Sequence, residues 1–183
     1  MVSSTSRSDL ARTLRGAACG AAAAAVWSAQ QPLDKRVFSS RYDDVELLGR
    51  AVTSDRWYAV GLVIHVGNGA VFGAAYANIE SALPLPRPLR GPFAGLVEHV
   101  ALWPLGRLSD RLHPARDQLP VLHRNRAAFL QAAWRHLLFG TVLGELERRA
   151  NPDAASAQPR PVPDPSSNGH GSLEYAVTVQ QTD

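Results

Sequence analysis

Residues 57–79 read WYAVGLVIHVGNGAVFGAAYANI, 23 residues without a Lys, Arg, Asp or Glu. About 20 predominantly apolar residues cross the hydrocarbon core of a bilayer, so this stretch predicts a membrane-spanning helix. At about 100° per residue, Gly61, His65, Asn68, Gly69, Phe72, Gly73 and Tyr76 share one face, which gathers small and polar groups where a neighbouring helix meets them. The opposite face is Val, Leu, Ile and Ala. GLVIHV at 61–66 returns as GLVEHV at 95–100, which predicts a second helix of related role.

Upstream, residues 16–33 form another uncharged run, rich in Ala and Gly and preceded by Arg7, Arg12 and Arg15. A basic start, an Ala-rich middle and Ala23-x-Ala25 also fit a cleavable signal sequence, but the run is poor in Leu and three similar helices follow. Residues 1–13, rich in Ser, Thr and Arg, predict a mobile N-terminus. Residues 34–56 form a charged connection in which Ser40-x-x-Asp43 reads as a capping box. Val45, Leu48 and Val52 then recur at helical spacing, which predicts a short interfacial helix between helices 1 and 2.

Downstream, Pro84, Pro86 and Pro88 predict an extended connector. Pro92 suits the first turn of a third helix, which Pro104 bends or ends, and an apolar pattern from 126 to 149 predicts a fourth. Beyond Ala150 the chain turns to Pro, Ser, Ala, Asn and Gly, so residues 151–183 predict a disordered tail, interrupted by a brief apolar run at 175–179. The expected fold is all-α: a four-helix antiparallel transmembrane bundle over 14–150, with helices near 14–33, 57–80, 91–107 and 126–149. An even number of spans places both termini on one side of the inner membrane, assigned to the cytoplasm. A soluble bundle with a small-residue core is the competing architecture.

Each expected helix carries a Gly-x-x-x-Gly pair: Gly16 and Gly20, Gly69 and Gly73, Gly91 and Gly95, Gly140 and Gly144. Gly inside a helix costs about 1 kcal/mol relative to Ala in water, and close helix–helix approach in lipid supplies a reason to keep it. The same faces offer a route to a homo-oligomer. The composition narrows the partners further. The net charge is +3, but the Lys and Arg are scattered over loops, without the clustered basic face that nucleic-acid binding needs, which leaves the lipid bilayer as the expected partner. A charged fraction of 19% lies below the roughly 25% of soluble proteins, although the polar ends and loops hold the mean hydropathy at −0.13. The lone Cys19 excludes an internal disulfide. GNGAVFG at 67–73 mimics a phosphate-cradling loop, but no strand precedes it, and no nucleophile stands in a catalytic setting.

His65, His99 and His136 occur one per helix, each eight to ten residues from its start. At about 1.5 Å per residue, antiparallel threading brings them to within roughly 6 Å of one depth. Glu98 and Asn68 share that layer, and Arg135 could pair with Glu98 or snorkel. The plainest role is structural: the five polar residues hydrogen-bond the helices together, Glu98 to His65, His136 or Asn68, each contact contributing about 0.6 to 2 kcal/mol. Two functional alternatives remain. His65, Glu98, His99 and His136 could hold a first-row metal or a haem in a membrane enzyme, or relay protons or ions. Neither HxxxH nor CxxCH is present, and no cofactor is required.

A Gly-rich first helix ending in PLDK, a helix with Gly61-x-x-x-His65 and a later FG-x-x-Y, a GLVEH…WP helix and a final H-x-x-FG-x-x-LG together resemble small bacterial inner-membrane proteins of the YagU-like group. The likeness covers about residues 14–149. It implies a multi-pass membrane protein without an assigned activity, and it carries no catalytic residues over. Arg135 in mid-helix and the Pro-rich tail depart from that pattern.

Overall fold

The computed structural model describes residues 4–152, with side chains from residue 9 onward. The remainder, including most of the expected tail and the run at 175–179, lies outside the described residues. Six α-helices make up this part: α1 (Ser4–Val37), α2 (Asp44–Arg50), α3 (Trp57–Ile79), α4 (Arg87–Leu102), α5 (Leu105–Leu112) and α6 (Arg126–Ala150), with one 3-10 turn at Glu80–Ala82. No strand occurs among the described residues, so the fold is an all-α helical bundle.

Local chemistry sets most boundaries. Asn125 caps α6 by accepting from the Ala128 amide at 3.1 Å. Pro88 occupies the first turn of α4, where its missing N–H is no loss, and Pro104 follows directly after that helix ends. The third helix therefore starts at Arg87, inside the stretch expected to be extended, and breaks into α4 and α5 where a single segment to 107 was expected. Residues 4–13, expected as a mobile terminus, are the first turns of α1, held where Arg12 donates to the Ala77 carbonyl at 2.7 Å and to Glu80 at 3.2 Å. At its other end α1 runs through Pro32 to Val37, four residues beyond the expected stop.

Glycine decides how the long helices meet. Gly16 and Gly20 of α1 lie against Gly73 and Gly69 of α3, and a Cβ built on Gly20 would fall 2.0 Å from the Gly69 carbonyl oxygen. The α4/α6 pair repeats this: a Cβ on Gly91 would fall 2.2 Å from the Gly140 oxygen, and one on Gly95 as close to the His136 oxygen. In both pairs the residue numbers run in opposite senses, so the helices are antiparallel. α1 also packs antiparallel on α6, from Asp34 near Arg135 to Arg15 beside Asn151. The start of α1 and the end of α6 therefore share one end of the bundle. The Gly-x-x-x-Gly pairs meet one another within the chain.

α3 and α4, although consecutive, touch only sparsely, and a cleft opens between them. At its closed end the chain does something unexpected. Ser39 adopts a left-handed backbone (φ 49°) and the Ser40 amide bonds back to Lys35, so residues 38–43 reverse direction beneath α1. α2 then packs on α3, with Gly61 against the Val45 carbonyl and Gly49 against Trp57. Its cap is Asp43, which accepts from the Glu46 amide at 3.0 Å, so the helix is capped about one turn later than the expected Ser40 box and by a single bond. Val45 is buried, and α2 is a packed element rather than the expected interfacial helix. The helix with a free apolar stripe is α5, which exposes Leu105, Leu108 and Leu112 beside Arg107 and Arg111.

Candidate functional site: a cleft floored by a buried ion cluster

Arg135 lies near the middle of α6 with 0% of its side chain exposed. Its guanidinium grips Asp34 through Nε at 2.5 Å and Nη2 at 2.6 Å, reaches Asp44 through Nη1 at 2.7 Å, and donates to the Tyr42 carbonyl at 3.2 Å. Such a fork meets carboxylates two bonds at a time, which suits Arg and not Lys. Asp34 accepts further from Gln131 at 2.6 Å and Gln30 at 2.5 Å, and Asp44 accepts from the Tyr42 hydroxyl and from Trp27 Nε1 at 3.2 Å. Glu98 is not the partner of Arg135, which corrects that expectation. The two true partners lie at the end of α1 and the start of α2, in the segment expected to be a surface connection. The signal was present in the sequence: a lone Arg amid apolar residues requires a carboxylate, and Asp34 closes the neighbouring uncharged run.

Burial works against the charge of Asp44, but the Arg135 guanidinium and the Tyr42 hydroxyl outweigh it and hold the carboxyl below the ordinary range. The Tyr42 hydroxyl is pushed well above its usual value, first by burial and then by that carboxylate. A carboxyl depressed on folding contributes stability that is present above its unfolded value, about 3.9, and is lost as pH falls through the folded value. Asp44→Asn is therefore expected to lower stability at pH 7 by about 2 kcal/mol, with the gap to the parent closing below about pH 4. Unfolding midpoints of both proteins between pH 3 and 7 check this.

Above the ion cluster lies a cavity of about 320 Å³ between α3 and α4. Trp27 stands at its back with His65 5.0 Å and His136 4.7 Å from its ring, and His99 lies 5.1 Å from His136. The three histidines, drawn from α3, α4 and α6, are thus gathered in one place. Asn68 and Glu98 line the same cavity with Phe72 and Phe139. Among the described residues no hydrogen bond joins Glu98 to His65, His136 or Asn68, so the network expected to glue the helices is absent. One ring bonds its own helix instead: His136 Nδ1 lies 2.8 Å from the Ala132 carbonyl. The Nε2 atoms of His65 and His99 are buried without a partner. Among the described residues no three His, Cys, Asp or Glu side chains converge as a metal site would require.

The opposite end carries a second ionic group. Glu80, 3% exposed, lies between Arg12 at 3.2 Å and Arg90 at 2.7 Å, and Glu147 accepts from Asn151 at 3.0 Å. These contacts tie the starts of α1 and α4 to the ends of α3 and α6. Comparison with protein-family models, with curated proteins and with solved structures finds no match.

Proposed function

We propose that the chain is an integral membrane protein that crosses the bilayer four times and uses the α3/α4 cleft as a binding site within the membrane. The observation that carries the reading is where charge is placed. Residues 16–33 and 57–79 carry no charge, 91–106 carry Glu98 alone, and 127–144 carry Arg135 alone. Arg135 is fully buried and Glu98 faces the cavity. The large hydrophobic side chains that point outward from those segments include Val26, Val63, Val71, Phe93, Val97, Val100, Leu130 and Trp134, against the exposed polar Asn68, Asn78 and Thr141. Eighteen residues of helix, the length of 16–33 and 127–144, rise about 27 Å, close to the roughly 30 Å of a hydrocarbon core, and 91–106 is shorter and broken after Leu102.

Among the described residues one helix, α3 with its following turn, is long and apolar enough to cross a membrane by composition alone. Only 22% of that window is buried inside the protein, where the core helix of a soluble bundle would be mostly covered. In the others, Ala, Gly and the inward polar groups lower the average. An apolar exterior closed over charged contacts is costly in water and stable in lipid. The exposed leucines of α5 fit a helix lying at the interface.

The test is fractionation of the intact chain without detergent. The protein is expected in the membrane pellet and is expected to stay there through an alkaline carbonate wash. Recovery as a soluble monomer would establish the soluble bundle instead.

A further inference from the structure

Resting on that reading, we infer that the α3/α4 cleft binds an uncharged apolar molecule that carries a hydroxyl group, of the phenol or quinol class. The argument begins with what the cavity leaves unfilled. His65 and His99 are 8% and 2% exposed, both line the cavity, and Nε2 of each has no partner. A hydroxyl both donates and accepts, so it satisfies such a ring nitrogen in either tautomer. A backbone carbonyl only accepts, so the bond to Ala132 keeps the proton of neutral His136 on Nδ1.

Both oxygens of Asp44 are already engaged by Arg135, Trp27 and Tyr42, and the polar groups left to a ligand are the two imidazoles and Glu98, which lines the cavity and to which a hydroxyl can also donate. The walls are aromatic: Trp27, Phe72 and Phe139 offer faces and edges to a flat ring. A cavity of about 320 Å³ lies at the small end of ligand pockets, which favours one or two rings over a macrocycle. The cleft opens between two helices whose outer faces are apolar, so entry is from the hydrocarbon side.

The experiment compares three probes of similar size, biphenyl, 4-phenylphenol and 4-methoxybiphenyl, titrated against the full chain in lipid nanodiscs with empty nanodiscs as the blank. Intrinsic Trp fluorescence reports binding, since Trp27 lines the cavity. The parent is expected to bind 4-phenylphenol about tenfold tighter than either compound without the hydroxyl. His65→Asn keeps a polar side chain but lacks Nε2, and His99→Phe keeps a ring without nitrogen. In at least one of them the preference is expected to fall to about unity while biphenyl affinity is retained. Equal affinity of the parent for all three probes, or a preference that survives in both variants, overturns the hydroxyl assignment. Absence of saturable binding by any probe overturns the cleft as a ligand site. Neither result touches the carbonate fractionation, so failure of this inference and failure of the membrane reading are told apart.

Discussion

Arg135→Met is expected to destabilise the bundle by about 3 to 5 kcal/mol, enough to lose the folded protein in mild detergent, because it strips two buried carboxylates of their common cation. Asp34 receives two of its four hydrogen bonds from Arg135, and Asp44 one of its three. Arg135→Lys restores a charge but not the planar fork, and an intermediate loss is expected. The informative variant changes the whole set. Asp34→Asn, Asp44→Asn and Arg135→Gln together leave no charge in the site, and are expected to recover more than half of the loss. Unfolding midpoints in detergent, with monodispersity by size-exclusion chromatography, measure all three. Equal stability of Arg135→Met and the parent would remove the ion cluster from the account of the fold.

The second large effect belongs to glycine. Gly20→Val and Gly140→Val put branched side chains where even a Cβ would stand 2.0 and 2.2 Å from a carbonyl oxygen of the facing helix. Backbone cannot swing aside as a long side chain does, so the helices must separate, at a cost of about 3 kcal/mol or more. Gly67 is the internal control. It lies in the same helix as Gly69 and Gly73, yet a Cβ there meets nothing within 4 Å, and Gly67→Ala is expected to be neutral or stabilising by up to about 1 kcal/mol. Thermal midpoints of the three variants separate the two behaviours; a destabilising Gly67→Ala would mean that helix propensity, not close approach, governs these positions.

The parts of this architecture legible in the sequence are those written locally. The ends of α3 and α6 follow from a charge-free run and from an apolar pattern over 126–149, and the gathering of His65, His99 and His136 follows from counting rises along antiparallel helices. The rest depends on non-local geometry. Nothing within residues 34–44 announces that Ser39 turns the chain back under α1 and carries Tyr42 and Asp44 to Arg135, because charged residues read as surface until a buried cation is placed beside them. Glu98 lies in the expected layer but without the expected partners, because a shared depth brings side chains near one another without supplying a donor. The third helix starts early because Pro88 tolerates the first turn, so a proline-rich segment reads as extended although part of it is helical.

The central claim is that this bundle is lined with charge inside and clad in hydrocarbon outside. Nitroxide labels report it most directly. They would be attached to cysteines replacing Val63, Val97 and Leu130, all exposed and apolar, and Asp117 as an aqueous control, in a Cys19→Ala background reconstituted in bilayers. The account expects the first three labels to be relaxed by oxygen and shielded from a water-soluble nickel chelate, with the label at 117 showing the reverse. Ready access of the chelate to positions 63, 97 and 130 would contradict it.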